Sequence, residues 1–454
     1  MLTVAGGVKC WGENIFGQLG VTGVLCFYLD GSAIPCSPVP LDVPGLESGV
    51  AAIAAGNFHT CVLTDEGGIK CWGSNRMGQF GDGTTVSSVE PVDVPGLAAG
   101  VQAIAAGSTH TCALLENGAV KCWGGNTTYQ LGAESSETCI SEFTDPHVCS
   151  TTPLDVETLD GGVAGLVAGR GFTCALTETG GVTCWGNNAH GQLGDGTFAN
   201  IRRTPSDVCA DEQCEAPLTG ASTVAAGGSH TCALMNSGDL KCWGFGAFGQ
   251  VGDGDLDIND RTTPVDVCRV YDTGAMQCLE TLSGAAGVTA GFVHTCALME
   301  DGGVKCWGSA TSGQLGTGDF GGSRNPLPLD VAGLGPKPPA TPTLSPTATP
   351  TLSPTATPTP SPTATQTPSP TATPTPAPAG DADCSGEVTS IDAALVLQFD
   401  ASLLKALPCA EAADADGDGA ITSRDAALIL QHSAGLLLTA RGVPHARKGG
   451  SAIS

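Results

Sequence analysis

Two stretches near the end of the chain carry oxygen ligands at the spacing a calcium ion requires. Asp381, Asp383, Ser385, Glu387 and Asp392 take positions 1, 3, 5, 7 and 12 of one loop, and Asp414, Asp416, Asp418, Ala420 and Asp425 take them again 33 residues later. A loop of this length uses side-chain oxygens at 1, 3, 5 and 12, a main-chain carbonyl at 7, and glycine at 6 for the sharp turn. Gly386 and Gly419 stand at position 6. Because position 7 offers its carbonyl, Ala420 serves there as well as Glu387. The expected cofactors are two Ca²⁺ ions, since hard oxygen donors suit a hard cation. Each loop leads into an apolar, helix-forming stretch, residues 393–399 and 426–438.

The second chemistry is that of thiols. Of 21 cysteines, ten recur as pairs of one spacing: Cys61/Cys71, Cys112/Cys122, Cys174/Cys184, Cys232/Cys242 and Cys296/Cys306. The six tryptophans, Trp11, Trp72, Trp123, Trp185, Trp243 and Trp307, all stand in Cys-Trp-Gly. In the first complete copy, residues 60–64 and 68–72 flank the turn Asp65-Glu66-Gly67, which sets Cys61 opposite Cys71. Opposed residues of an antiparallel pair are close enough to form a disulfide. Each bridge closes a short loop and contributes about 2–3 kcal/mol on the chain-entropy account. Four further pairs, Cys26/Cys36, Cys139/Cys149, Cys209/Cys214 and Cys268/Cys278, fall only in the longer copies and read as staples on loop insertions. Those variable stretches are where a binding surface is expected. Cysteine pairs at this density imply an oxidising compartment.

The elements that carry these cysteines are short. Residues 50–96 read VAAIAAGNFHTCVLTDEGGIKCWGSNRMGQFGDGTTVSSVEPVDVPG, apolar runs broken by Gly, Asn, Asp and Pro, which predicts short strands and tight turns. A recurrence of roughly 50–65 residues signals a repeat architecture. The shared phrase, with Gly17–Gly20 and Gly191–Gly194 reading Gly-Gln-Leu-Gly and variants beginning at Gly78, Gly249 and Gly313, resembles the regulator of chromosome condensation repeat. The resemblance covers residues 1 to about 335 and implies an all-β fold, a β-propeller of four-stranded blades, six or seven in number. The first residues, MLTVAGGVKCWG, align on VLTDEGGIKCWG, so Cys10 lacks a partner and the chain is expected to have lost a signal peptide and strands upstream.

His59, His110, His230 and His294 recur before Thr-Cys, with Phe172 in the remaining copy. A ring of histidines near a propeller axis would suit a metal; the expectation here is instead that each bonds backbone within its own blade. Repetition itself argues for structure, because catalysis needs one asymmetric constellation. The sequence contains no Gly-x-Ser-x-Gly, phosphate loop or zinc-protease helix. With 45 acidic against 18 basic residues the net charge is −27, which excludes a basic nucleic-acid face and suits a secreted protein. No apolar run is long enough to span a membrane.

Residues 336–379 change abruptly to Thr, Pro, Ser and Ala, a composition that predicts an extended, semi-rigid spacer and a candidate for O-glycosylation. Residues 380–440, with the duplicated loops, resemble a type I dockerin, implying a small all-α calcium-binding domain. By that resemblance Ser390, Ile391, Ser423 and Arg424 face a cohesin-like or other extracellular protein. Separately, Cys384 and Cys409 are expected to pair, tying the first loop to the segment between the helices. Ile391 and Arg424 depart from the Ser-Thr pairs common in the family. Residues 441–454 read as a disordered tail.

Together these features predict a secreted or cell-surface, non-enzymatic binding propeller on a stalk, with a calcium-dependent docking module. The alternative is a secreted enzyme, degrading polysaccharide or protein in a dockerin-linked assembly. A guanine-nucleotide exchange factor, the nuclear family members' role, fits neither the disulfides nor the acidic charge.

Overall fold

The structure, a computed structural model, describes residues 1–334 apart from 28–32, 142–143, 160–161, 256–258, 273 and 319–323. It is a six-bladed, all-β propeller. The second blade shows the plan, with Val50–Ala55, His59–Thr64, Ile69–Gly73 and Ser88–Asp93 hydrogen-bonded in sequence order. The blades beginning at Val163, Ala221 and Ala285 repeat that order, and the one beginning at Val101 adds a fifth strand, Thr138–Ser141, beyond its long outer strand Thr144–Asp155. The first blade holds Lys9–Glu13, Ala33–Asp42 and Leu25–Phe27 in that order.

Composition follows position in the blade. Innermost strands such as VAAIAA are alanine-rich, because strands converging on one axis leave room only for small side chains. The second strand, HTCVLT, is almost wholly buried between neighbouring blades, whereas the outer strand SVEPVD faces water. Hydrophobic clusters accordingly form between blades: Leu63, Ile69 and Phe80 of one blade pack with Ala113 and Trp123 of the next.

The Cys-Trp-Gly phrase is explained by backbone and seam together. At each Trp-Gly the pairing to the outer strand slips, and the glycine sits at positive φ, +102° at Gly73 and +101° at Gly124. A Cβ on Gly73 would strike the Phe58 carbonyl and the His59 backbone, so the bulge demands glycine. The preceding indole points into the seam. Trp72, Trp123, Trp185, Trp243 and Trp307 are fully buried, and each Nε1–H donates to a glutamine carbonyl of the preceding blade's Gly-Gln loop, at 2.8–3.0 Å. A buried indole needs such an acceptor. Trp11 is the exception, 49 % exposed, and on the sixth blade Leu298 is 48 % exposed where its counterpart Leu114 is buried. The two end blades thus each show one uncovered flank among the described residues.

Candidate functional site

Register places each hairpin cysteine directly opposite its mate: Cys61 on Cys71, Cys112 on Cys122, Cys174 on Cys184, Cys232 on Cys242 and Cys296 on Cys306. All five hairpin bridges, Cys61–Cys71, Cys112–Cys122, Cys174–Cys184, Cys232–Cys242 and Cys296–Cys306, are formed, with Cα atoms 4.0–4.1 Å apart. The second cysteine of each pair lies on the third strand of its blade and is buried, Cys184 and Cys242 completely and Cys306 to within 4 %. The four loop pairs are closed as well, Cys26–Cys36, Cys139–Cys149, Cys209–Cys214 and Cys268–Cys278, leaving Cys10 as a buried free thiol. Burial raises the pKa of Cys10, which makes it a poor nucleophile.

Three of the four repeated histidines are committed to the seams, though to a different partner than expected, and the fourth, His294 on the last blade, is only partly buried. The Nε2 atoms of His59, His110 and His230 lie 2.8–3.0 Å from the hydroxyls of Thr111, Thr173 and Thr295 in the next blade, rather than on backbone of their own. Each of those hydroxyls gives its one proton to a glutamine carbonyl, Thr111 to Gln79, Thr173 to Gln130 and Thr295 to Gln250. The hydroxyl therefore accepts from Nε2–H, which assigns the tautomer and leaves Nδ1 unprotonated. Those Nδ1 atoms are buried with no hydrogen-bond partner. Burial drives the imidazoles' pKa down, to about 4 for His59 and about 3 for His110 and His230, so they are neutral and cannot shuttle protons near neutral pH. Sequence could not show this partner, because pairing within a hairpin says nothing of the neighbouring blade. Among the described residues no His, Cys, Asp or Glu cluster could hold a metal.

Where the repeat breaks, an asymmetric site appears. The innermost strands end around the propeller axis in Ala-Gly, and the next residue differs in every complete blade: Asn57, Ser108, Arg170, Gly228 and Phe292. These turns line a cavity of about 200 Å³, with no carboxylate among its described lining residues. The rim is fixed by backbone bonds between neighbouring blades: Ser108 N–H to the Gly169 carbonyl at 3.3 Å, Arg170 N–H to Gly228 at 3.1 Å, and Gly228 N–H to Phe292 at 3.1 Å. Beneath it, a Cβ on Gly56, Gly107 or Gly227 would overlap the imidazole of His59, His110 or His230. The glycine of Ala-Ala-Gly thus seats the seam histidine, and the residue after it is released to vary.

Other asymmetric groups pin loops away from the cavity lining. His190 Nδ1 lies 2.8 Å from Asp260, whose other oxygen accepts from the Gly246 N–H at 3.1 Å, an arrangement that pins one loop. Arg261 is held by Asp253 and Asp255, and those carboxylates leave it with a raised pKa despite its burial. The five propeller lysines are spent identically, each on an aspartate of its own blade's outer strand, as Lys70 on Asp93 at 2.6 Å. Two staples, at Cys36 and Cys149, sit on outer strands at the mouth's end of the blades. Cys209 and Cys268 follow the outer strands' last residues, at the other end. The ten calcium-loop positions, the partner-facing Ser390, Ile391, Ser423 and Arg424, and Cys384 and Cys409 lie outside the described residues. The donor chemistry of the two loops nonetheless fits Ca²⁺: Asp381, Asp383, Ser385 and Asp392, and Asp414, Asp416, Asp418 and Asp425, are all oxygen donors, with main-chain carbonyls at Glu387 and Ala420.

The propeller is stapled by disulfides, its recurring polar side chains are used within and between blades, and its individuality gathers at one axial mouth. The chain belongs to the RCC1-like domain family, which matches residues 1–341, and a type I dockerin domain matches residues 379–432. It is 31 % identical over 316 residues to the ultraviolet-B receptor UVR8 of Arabidopsis thaliana, covering 69 % of this chain and 63 % of that one. It is also 31 % identical over 270 residues to the human E3 ubiquitin-protein ligase HERC2, covering 58 % of this chain and 5 % of that one. The chain thus spans less than two thirds of the length of either relative. In fold it is similar to yeast RCC1 (Prp20) bound to Kap60, with TM-score 0.57, 22 % identity and 73 % and 72 % of the two chains covered. Human WBSCR16 gives TM-score 0.56, 22 % identity and coverage of 72 % and 78 %.

Proposed function

We propose that the protein is a secreted or cell-surface, non-enzymatic binding propeller, carried on a Thr/Pro-rich stalk and docked through a calcium-dependent dockerin-like module. The observation that carries this reading is that the repeated polar groups are used in structure, His294 on the last blade excepted. The histidines, threonines and tryptophans close seams and the lysines pair with outer-strand aspartates. Among the described residues that line the mouth there is no carboxylate, histidine or cysteine; beside glycines and alanines it holds Asn57, Ser108, Arg170 and Phe292. Nine disulfides among the described residues support the oxidising compartment.

In the tail, Asp381, Asp383, Ser385 and Asp392, with Asp414, Asp416, Asp418 and Asp425, would hold two Ca²⁺ ions, which supply charge neutralisation that lets the acidic loops close. Ser390, Ile391, Ser423 and Arg424 would then face the docking partner. The test uses the full chain. With Ca²⁺, helix content and melting temperature should rise and an immobilised type I cohesin should retain the chain; with EDTA both effects should vanish. Calcium-independent helix content and melting would remove the docking reading. Hydrolysis of polysaccharide or protein by the purified chain would favour the enzyme instead.

A further inference from the structure

We infer that the axial mouth receives a carboxylate, an aspartate or glutamate side chain presented by a protruding loop of a protein partner, and that Arg170 grips it. The inference rests on the binding reading above and names the chemistry at its centre. Arg170 is exposed, lines the mouth, and makes no side-chain hydrogen bond or ion pair among the described residues. Its guanidinium lies over the Phe292 ring at 5.9 Å from the centroid, near the outer limit of a useful cation–π contact. That is unusual in a chain of net charge −27, where every propeller lysine has an aspartate and Arg202, Arg203, Arg261 and Arg269 each have a carboxylate. The mouth is thus a point where this protein leaves a fork of N–H donors unfilled, with no acid among the described residues that line the cavity.

Geometry supports a built arrangement. Arg170 stands on the fourth blade and Phe292 on the sixth, with Gly228 of the fifth between them. A Cβ on Gly228 would meet the Phe292 carbonyl at 2.6 Å and its ring at 2.9 Å, so the missing side chain gives the phenyl ring its place beside the arginine. The Arg170 backbone is tied to Gly228 and Gly228 to Phe292, which fixes the two side chains' bases relative to one another. An aromatic face backing a guanidinium leaves the planar fork free for a bidentate carboxylate.

Size and charge select among anions. The cavity, about 200 Å³, is smaller than the roughly 300–1,000 Å³ of small-molecule sites but admits one acidic side chain. A phosphate dianion would meet a single cation in an acidic protein and face twice the surrounding repulsion. One exposed ion pair contributes only about 0–1 kcal/mol, so a partner must also cover the apolar groups at this end, where Phe292 is 54 %, Ile15 50 % and Phe58 38 % exposed. An arginine beside an exposed phenylalanine, with further exposed apolar side chains at the same end, is the composition of a protein-binding surface.

The test titrates the full chain, ¹⁵N-labelled at arginine, with acetyl-Gly-Glu-Gly-amide and with its glutamine counterpart. The Glu peptide should shift the Arg170 Nε–H signal, assigned by its loss in Arg170→Gln, with a dissociation constant on the order of 0.1 M, weaker at higher salt; the Gln peptide should not. Arg170→Gln should abolish binding and Phe292→Ala weaken it several-fold, both variants keeping the parent melting temperature. Equal response to the two peptides, preference for inorganic phosphate, or unchanged binding by Arg170→Gln would overturn the inference. So would full-strength capture of a macromolecular partner by Arg170→Gln, which would leave the binding reading itself standing.

Discussion

The seams between blades and the mouth at their centre are built from adjacent residues under opposite rules. In the seams most side chains recur from blade to blade and are buried: indole and threonine hydroxyl converge on the same glutamine carbonyl, and in three seams an imidazole bonds the hydroxyl. At the mouth, one residue beyond the glycine of Ala-Gly, five blades present five different residues. A repeat protein needs its neighbour interfaces to match, because each blade closes its core only against the next. It has no such need at the axis. The difference teaches where function is to be sought in such a chain: in the column of the repeat that fails to repeat.

The largest effect that would break this contrast is Trp123→Ala. It empties a fully buried site and removes one of the two donors to the Gln79 carbonyl, the indole N–H at 2.8 Å, leaving the Thr111 hydroxyl as the other. A loss of about 3–5 kcal/mol is expected in chemical denaturation, against at most about 0.5 kcal/mol for an exposed mouth substitution such as Arg170→Gln. Comparable losses at the two sites would show that the mouth too is structural.

Next comes acid. His59, His110 and His230 fall from an ordinary 6.5 to about 4, 3 and 3 on folding, because burial disfavours the cation. Below pH 6.5 the unfolded chain takes up protons that the folded chain refuses. Stability from the neutral rings is therefore complete above that pH and lost as pH falls, towards about 4 for His59 and about 3 for His110 and His230. Each histidine should contribute roughly 1.4 kcal/mol per pH unit in that window. Denaturation at pH 6.5 and 5 should show the loss, and a chain with all three changed to Phe should lose most of the slope. An equal slope in that variant would place the acid sensitivity elsewhere.

Much of the seam was legible, because hairpin arithmetic about Asp65-Glu66-Gly67 fixes which cysteine opposes which. Cys61 does lie on Cys71, and the same spacing brings Cys174 to Cys184, Cys232 to Cys242 and Cys296 to Cys306. The all-β repeat fold was legible from the same phrases, and six blades is one of the two numbers they allow. The partner of each histidine was not, since Thr111 lies 52 residues from His59 and only blade packing joins them. The glycine after each tryptophan carried a bulge that alternation alone does not reveal. The mouth was readable in principle: four residues before the first cysteine of each pair stand Asn57, Ser108, Arg170, Gly228 and Phe292, a fully variable column beside an invariant glycine. Attention to what recurs passes over such a column.

The smallest effect sharpens the seam itself. His110→Phe removes one hydrogen bond to Thr173, about 0.5–1.5 kcal/mol. It also removes a buried, partnerless Nδ1 whose desolvation costs about 1–3 kcal/mol. The two nearly cancel, and Thr173 keeps its bond to the Gln130 carbonyl at 2.9 Å. The fourth blade already makes this exchange: Phe172 is fully buried over Gly169, and Thr231 in the next blade holds Gln192 at 2.8 Å without a histidine. His110→Phe should therefore change stability at pH 7 by less than about 1 kcal/mol, and Phe172→His should bring no gain. A loss above about 2 kcal/mol for His110→Phe would mean that the imidazole bond holds the seam, and that the fourth blade is compensated by something other than its ring.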